Sequence, residues 1–428
     1  MNSDALKVIL KKRINAIANE KRENGFDISG FTAKYETLPD SYDELMRAFD
    51  VLAVIPKRDD WQYVEPETWE DIEKELLPVA KRKAENAAEK TKSAFLASVS
   101  GCVLGKPVEM RPTMEDMRRA YEPMGEWPIS HYLTRDMVKR YGRADMDTST
   151  LEGMDGVDAD DDINYTVIGM LTLEKYGRTF TTDNVAAIWN KHLLAGFTWG
   201  PESSFLRQVA LASREGGPFF DDDWKKYRSN QNLCGAMIRA DAFGYANPGD
   251  PRAAAEMAWR DGHMTHEYTG VYGEMFAAAA IAAAYTAESP EEIVTQALAC
   301  IPQKSRLAEC VRNCLTIVKG TNDFHEAYDM IHSRYSEYTH CMIYQETGTL
   351  INTLFHAKDA GDGICLQVMQ GNDTDSYGCT AGSILGAYFG SIDESWIAPF
   401  KDKINLALAC APEHSLSALA ERMAKLSI

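Results

Sequence analysis

The sequence lacks an excess of positive charge. It carries 45 Lys and Arg residues against 64 Asp and Glu residues, which gives a net charge of −19 with neutral histidines. Binding to nucleic-acid phosphates or to an anionic membrane surface requires clustered basic residues. We therefore expect no nucleic-acid partner and no membrane partner, although a local basic pocket remains compatible with a small phosphate-bearing ligand.

Long apolar runs and paired cysteine motifs are also missing. The longest apolar run, Met275 to Tyr285, has about half the length that spans a bilayer. Residues 1–19 are charged and contain no apolar segment, so we expect no secretory signal. The nine cysteines are odd in number, and no two have Cys-x-x-Cys spacing. These features predict a cytoplasmic protein with reduced thiols.

Helical periodicity dominates what is present. Hydrophobic residues make up 45% of the 428 residues, which is ample for a core. Segments of helical period far outnumber alternating segments, so the predicted fold class is all-α. We expect residues 91–428 to form one domain and residues 1–90 to form an N-terminal extension packed on it. Residues 111–157 have few apolar runs and predict a long ordered loop, a feature that tends to be functional.

Glycines at helical spacing predict a close contact between helices. Gly101 and Gly105 lie four residues apart, and Gly378, Gly382 and Gly386 repeat the same spacing. Residues spaced by four share one face of a helix. A face without side chains lets a neighbouring backbone approach closely. Both segments are therefore predicted to be tightly packed helices of the core.

Oxygen-bearing side chains open the second of these segments. Asp373, Asp375 and Ser376 place three hard oxygen donors within one turn. Such donors suit Mg²⁺, Mn²⁺ or Ca²⁺. The segment does not fit an EF-hand loop, because Tyr377 replaces an acidic ligand and Ile384 replaces the closing glutamate. The alternative from the residues alone is an exposed acidic turn that caps a helix.

A second acidic cluster lies more than two hundred residues upstream. Asp160-Asp161-Asp162 also opens an apolar helical run, which ends near Tyr176. Two carboxylate clusters at two helix starts are typical of two halves of one metal site. A solvated acidic loop is the alternative, since Asp155 and Asp158 extend the run of charge.

These elements together resemble the ADP-ribosylglycohydrolase family. Gly371 to Gly390 resembles the Gly-Gly-Asp-Thr-Asp-Thr/Ser element of the family, and Asp160 to Asp162 resembles its Thr-Asp-Asp element. Gly101 to Glu109 is similar to the first glycine-rich helix, whose trailing glutamate faces the active site in several members. Asn232 to Arg239 and Thr265-His266 resemble the substrate-side segments. The elements occur in the family's order from about residue 90 onward.

The resemblance implies an orthogonally packed helical domain with two Mg²⁺ ions, or Mn²⁺, in a central cleft. It implies Mg²⁺-dependent hydrolysis of an ADP-ribosyl glycosidic bond, on a protein or on a small molecule. Dense carboxylates would stabilise the oxocarbenium-like centre that forms when such a bond breaks. The implied metal ligands are Asp160, Asp161, Asp162, Asp373, Asp375 and Ser376; the implied catalytic residues are Glu109, Asp161 and Asp162; the implied substrate-binding residues are Asn232, Gly235, His266, Gly371 and Asn372.

The sequence departs from the family pattern at four positions. Asp160 stands where threonine is usual, and Ile163 replaces a polar residue. Cys102 occupies a common aspartate position, and Asn372 a common glycine position. These departures leave the substrate open. The alternatives are an N-glycosidase for a nucleoside- or nucleotide-like metabolite, with residues 1–90 and 111–157 closing the pocket, and a catalytically silent binding relative. The oligomeric state is not indicated.

Overall fold

The computed structural model describes residues 3–109, 112–215, 222–229, 231–321, 323–338, 341–411 and 413–428. The regular structure of these residues is helical, and their β-pairing is limited to isolated bridges. The all-α prediction is therefore confirmed. None of the described helices is both long and apolar enough to cross a membrane. The α-helices are α1 (Ser3–Glu23), α2 (Ser29–Lys34), α3 (Tyr42–Ala53), α4 (Trp69–Lys74), α5 (Ala87–Gly105), α6 (Met114–Tyr121), α7 (Arg135–Arg140), α8 (Asp161–Tyr176), α9 (Thr182–His192), α10 (Gly200–Glu215), α11 (Asp241–Tyr245), α12 (Pro251–Gly262), α13 (Thr269–Ala284), α14 (Pro290–Ala299), α15 (Arg306–Thr321), α16 (Phe324–Arg334), α17 (Ile343–His356), α18 (Ala360–Met369), α19 (Thr374–Phe389) and α20 (Leu416–Leu426).

Helices α5 and α19 pack antiparallel with their backbones in contact. A Cβ atom added to Gly101 would lie 2.0 Å from the carbonyl oxygen of Gly378. One added to Gly105 would lie 2.2 Å from the carbonyl oxygen of Thr374. Because the helices run in opposite directions, the end of α5 lies beside the start of α19. The predicted glycine contact is confirmed, and it places the segment after α5 next to the acidic turn before α19.

Helix α13 forms the centre of the domain. Every residue from Thr269 to Ala284 is buried. Apart from Glu274, which pairs with Arg239, the helix is largely apolar, and such a helix is stable only when neighbours cover it on all sides. The repeated alanines keep it thin, so surrounding helices such as α11, α12 and α14 pack against it.

The first three helices have an apolar cluster of their own. Ile14, Phe31, Leu45, Phe49 and Leu52 are among its buried members. Polar contacts then join this N-terminal part to the core. The side chain of Asn232 donates to Asn24 Oδ1 over 2.8 Å, and the backbone N–H of Asn232 donates to Glu20 Oε1 over 3.1 Å. The N-terminal part thus has a small apolar cluster of its own and hydrogen-bonds to Asn232.

Residues 112–157 contain more regular structure than the predicted loop. Helices α6 and α7 lie within this segment. Helix α6 begins with a capping box, in which Asp116 N–H donates to Thr113 Oγ1 over 3.2 Å and Thr113 N–H donates to Asp116 Oδ2 over 3.0 Å. The expectation of a long loop was wrong in this respect. Helices of six and eight residues are too short to show a clear period, although their caps were readable.

Candidate active site

Three helix ends meet at one cleft of about 400 Å³. The end of α5 and the short turn after it contribute the first group of side chains. The starts of α8 and α19 contribute the two acidic clusters. Polar lining residues are Lys106, Glu109, Arg143, Asp160, Asp161, Glu202, Asp373, Asp375 and Ser376.

The carboxylates form two adjoining trios. One oxygen each from Asp160, Asp162 and Asp375 lies within 4.8 Å of the other two. The same holds for Glu109, Asp373 and Asp375. Because Asp375 belongs to both trios, the two groups share a border. The structure therefore brings together the two sequence clusters and adds Glu109 to one of them, whereas Asp161 lines the cleft next to the first trio.

Two of these carboxylates have oxygens without a hydrogen-bond partner. Asp162 Oδ1 and Asp375 Oδ1 are buried, and neither has a partner among the described residues. Burial, followed by the charges of the neighbouring aspartates, raises the pKa of both carboxyl groups well above the usual range. Burial and Asp160 likewise raise the pKa of Asp161. Such carboxylates are costly to bury as anions, and a cation bound beside them would offset this cost.

Asp160 also has a structural role. Its Oδ1 accepts the backbone N–H of Asp162 over 3.1 Å and so caps α8. Its Oδ2 lies 3.1 Å from the ammonium of Lys106, which in turn donates to the carbonyl oxygen of Ala159 over 2.9 Å. A threonine could provide the cap but not the ion pair. The aspartate at this position therefore supplies the ion-pair partner of the buried lysine. No motif in the sequence had predicted a role for Lys106.

Glu109 lies at the edge of the cleft and is held by Arg143. The guanidinium of Arg143 donates to Glu109 Oε2 over 2.7 Å. The backbone N–H of Arg143 also donates to the carbonyl oxygen of Pro107 over 2.8 Å, which fixes the loop against the turn that carries Glu109. Burial, together with the charge of Asp373, raises the pKa of Glu109 to about 7, against the opposing effect of Arg143. Arg143 was missed because it lies in a polar stretch without a pattern.

The predicted substrate-binding residues are placed differently from one another. Gly235 lines the cleft, and a Cβ atom on it would lie 2.4 Å from Glu202 Oε1. Asn232 points its side chain toward Asn24 in the N-terminal segment. His266 is fully buried, and burial lowers the pKa of its imidazole well below the usual range. Neither Asn232 nor His266 is among the described residues that line the cleft.

Gly371 and Asn372 shape the turn before α19. Both have positive φ angles, +81° for Gly371 and 63° for Asn372. The backbone N–H of Asn372 donates to the carbonyl oxygen of Pro112 over 2.9 Å, and its side chain donates to Gln345 Oε1 over 3.0 Å. Neither residue belongs to the described cleft lining. The structure thus places them as supports of the turn that presents Asp373.

A buried ion network lies behind Gly235. Arg239 donates to Glu202 Oε1 over 2.9 Å and to Thr265 Oγ1 over 3.0 Å, and it also pairs with Asp261. Burial, opposed by Arg239, raises the pKa of Glu202 to about 7. Glu202 is the member of this network that reaches the cleft. Glu202 is far from both acidic clusters in the sequence, so no local motif predicted that it lines the cleft.

Sequence comparison identifies the fold family. The family model for ADP-ribosylglycohydrolase matches residues 83–427. The chain belongs to the ADP-ribosylglycohydrolase family. The predicted family is therefore confirmed, and with it an enzyme that hydrolyses glycosidic bonds. Metal dependence is a property of this family, and the paired acidic trios of this ADP-ribosylglycohydrolase family member are suited to it.

Other comparisons give less. No curated protein matches the sequence significantly. Among solved structures, one described as an "ADP-ribosylglycohydrolase-related protein complex" is 18% identical, with a TM-score of 0.49. The match covers 80% of this chain and 99% of that chain.

Proposed function

We propose that this member of the ADP-ribosylglycohydrolase family is a Mg²⁺-dependent hydrolase of an ADP-ribosyl glycosidic bond. The supporting observation is the pair of carboxylate trios that share Asp375, with buried oxygens on Asp162 and Asp375 that have no partner among the described residues. Oxygen donors at this density are the ligands that Mg²⁺ and Mn²⁺ prefer.

The charge of the cleft fits two divalent cations. Apart from the Glu202–Arg239 pair, six carboxylates face two basic side chains, Lys106 and Arg143. Full ionisation leaves four negative charges, which two divalent ions would neutralise. When bound, such ions supply Lewis-acid polarisation of ribose hydroxyls and water. The side chains that would hold them are Asp160, Asp161, Asp162, Asp373, Asp375 and Ser376.

Glu109 is the proposed general base. Its carboxylate faces the cleft, Arg143 fixes its orientation at 2.7 Å, and a pKa of about 7 suits proton transfer near neutral pH. In the hydrolysis, the bond between the anomeric carbon and the leaving group breaks, and its electron pair departs with the leaving group. A water oxygen bonds to the anomeric carbon and gives one proton to Glu109, and the departing group takes up a proton from solvent. The remaining carboxylates, Asp161 among them, stabilise the positive charge that develops on the ribose.

Two exposed aromatic side chains suit the nucleotide part of such a substrate. Trp199 is 59% exposed and Phe197 is 42% exposed, and both line the cleft. Exposed aromatic faces beside a polar site provide stacking surfaces for a nucleobase. The cleft volume of about 400 Å³ lies within the usual range for small-molecule sites, roughly 300–1,000 Å³. We therefore assign the adenine end of the substrate to this wall.

The second candidate is an N-glycosidase for a nucleoside-like metabolite. It is favoured by Arg143 and Met146, which place the 112–157 segment on the wall of the cleft. The same hypothesis also expects residues 1–90 to close the pocket. This part counts against it, since no described residue before Lys106 lines the cleft. A binding-only role is not proposed, because membership of this family implies glycosidic-bond hydrolysis.

Mass spectrometry of the products separates the candidates. Arginine- and serine-linked ADP-ribosyl peptides, O-acyl-ADP-ribose and free nucleosides are incubated with enzyme in Mg²⁺ or in EDTA. We expect free ADP-ribose from at least one ADP-ribosyl substrate, in Mg²⁺ only. Release of free base from nucleosides, with all ADP-ribosyl substrates intact, would replace the first candidate by the second. Equal turnover in EDTA would remove the metal from the proposal.

A further inference from the structure

Two cysteine thiols lie side by side on the wall of the cleft. Leu233 and Met342 form an antiparallel bridge, which makes Cys234 and Cys341 the next opposite pair. The backbone N–H of Cys234 donates to the carbonyl oxygen of Cys341 over 2.8 Å. Opposite residues of an antiparallel pair have Cα atoms about 4.5–5.5 Å apart, so their side chains meet on one face. Both cysteines belong to the cleft lining.

A carboxylate completes this group. The Cys234 thiol donates to Asp373 Oδ2 over 3.1 Å. The two sulfur atoms and one Asp373 oxygen all lie within 4.8 Å of one another. Cys341 is half-buried, so an ion in the cleft can reach the trio from solvent. We refer to Cys234, Cys341 and Asp373 as the thiol trio.

We infer that the thiol trio is a binding site for a thiophilic divalent cation such as Zn²⁺. Two sulfurs and one carboxylate oxygen are a donor set that zinc accepts and magnesium does not. Zn–S bonds of about 2.3 Å in tetrahedral geometry put the two sulfurs roughly 3.8 Å apart. Because the sulfurs already lie within 4.8 Å of each other, they need to approach by about 1 Å at most. As the two Zn–S bonds form, each thiol releases its proton to solvent. No oxidant is required, and the fourth position is left to water.

The location distinguishes this pair from the other close cysteines. Cys102 and Cys379 form a similar group with Asp162, but all three residues are buried, and neither cysteine is among the described residues that line the cleft. The sulfurs of Cys310 and Cys314 lie 4.0 Å apart inside the core. Access from the cleft together with an adjacent carboxylate therefore singles out the thiol trio.

Binding at the thiol trio has a consequence for the proposed reaction. Asp373 also belongs to the carboxylate trio with Glu109 and Asp375. A zinc ion on Cys234 and Cys341 withdraws this carboxylate from the hard-metal site and occupies the cleft. Zn²⁺ is thus expected to inhibit by competing with Mg²⁺. The inhibition rests on the proposed function, whereas the binding itself does not.

A spectroscopic titration tests the binding without any substrate. The EDTA-treated, dialysed full chain is titrated with Cd²⁺ and with Co²⁺, whose bonds to thiolate give a charge-transfer band in the ultraviolet, and with Zn²⁺ in competition. We compare wild type with Cys341→Ser and Cys341→Ala. Cys410→Ser is the control, because Cys410 is exposed and shares with Cys341 a positive φ, 56° against 63°.

We expect one equivalent of thiolate-bound cation in wild type and in Cys410→Ser. Both Cys341 variants should lose the band. Their affinity for Zn²⁺ should also fall, by a larger factor than the roughly 10–100-fold that follows loss of an outer-shell partner. A melting curve in Mg²⁺ that matches wild type shows that the variants are folded. A wild-type protein without the band, or a band that survives in folded Cys341 variants, would overturn the inference. Loss of inhibition by Zn²⁺ in Cys341→Ser, with Mg²⁺-dependent turnover retained, would extend it to the reaction.

Discussion

The hydroxyl of Ser376 donates a hydrogen bond to Asp162 over 3.3 Å, across 214 residues of sequence. This contact joins the first turn of α19 to the first turn of α8. Two acidic helix starts that are separate in the sequence thereby become one site. The backbone contact between α5 and α19 brings the third component, the turn that carries Glu109, to the same place.

The glycine contact predicts a large difference between two Gly→Ala substitutions. Gly378→Ala places a Cβ atom 2.5 Å from the carbonyl oxygen of Gly101, so the two helices must separate. Overpacking of this kind costs about 1–3 kcal/mol of unfolding free energy, and backbone atoms yield less than side chains. Gly320→Ala in α15 meets nothing within 4 Å and should stabilise the protein by up to about 1 kcal/mol. Urea denaturation of both variants measures this, and equal effects would contradict the packing.

The buried carboxyl group of Asp241 should make the protein less stable as pH rises. Burial raises its pKa to about 6, against hydrogen bonds from Ser383 and Ser98. Because this pKa lies above the unfolded value near 3.9, the folded protein favours the protonated acid. The stabilisation is present below about pH 4 and is lost as pH rises through 6, by roughly 3 kcal/mol. In EDTA, the unfolding free energy of Asp241→Asn relative to wild type should therefore rise by that amount from pH 4 to pH 7.

The control for this measurement is Asp393, whose pKa is shifted in the opposite direction. Hydrogen bonds from Ser395 lower the pKa of the exposed carboxyl group of Asp393. Its contribution is present above the unfolded pKa and is lost as pH falls through the folded value. Asp393→Asn should therefore become relatively less stable as pH rises. A pH-independent difference for Asp241→Asn would show that this carboxyl titrates alike in both states.

Trp199 is expected to contribute to substrate binding by stacking on the nucleobase. Stacking of a base on an aromatic side chain contributes about 1–3 kcal/mol. Trp199→Ala should therefore raise KM for an ADP-ribosyl substrate by roughly 5–150-fold with a smaller effect on kcat. Tyr42→Ala, at an aromatic residue of α3 that is 51% exposed and outside the cleft lining, is the control. An unchanged KM in Trp199→Ala would place the nucleobase elsewhere.

Glu109→Gln separates proton transfer from metal binding. A general base contributes about 10²–10⁴-fold to the rate, so kcat should fall by that factor. Mg²⁺ binding should be retained, as measured by the thermal shift on adding Mg²⁺. Asp145→Asn is the matched control, because Asp145 also pairs with Arg143, at 3.3 Å, but its side chain is 69% exposed. Loss of Mg²⁺ binding in Glu109→Gln would make Glu109 a ligand, which its place in a carboxylate trio also permits.

The sequence predicted those parts of the site that have a local pattern. Asp160 to Asp162 and Asp373 to Ser376 were readable because acidic residues at a helix start form a compact signal. The glycine faces predicted which helices touch. By contrast, Arg143 and Glu202 reach the cleft through tertiary packing, which has no local period.

Other substrate-side expectations show the same limit. Asn232 was predicted to bind substrate but hydrogen-bonds Asn24, in a segment that precedes the residues matched by the family model. A resemblance confined to the shared domain carries no information about what an added N-terminal segment engages. Lys106 illustrates the converse, since its ion pair with Asp160 is visible only once the two helix ends meet.

The most direct test of the metal site uses Asp375, the carboxylate shared by both trios. Melting temperature and turnover of an ADP-ribosyl substrate are measured for wild type and Asp375→Ala in Mg²⁺ and in EDTA. Asp136→Asn, at a side chain that is 77% exposed, serves as the control. A hundredfold excess of Mg²⁺ over Kd should stabilise wild type and the control by about 2.7 kcal/mol per site. Asp375→Ala should lose both the shift and the activity, whereas a wild-type shift or Mg²⁺-independent turnover in that variant would contradict a metal site built on Asp375.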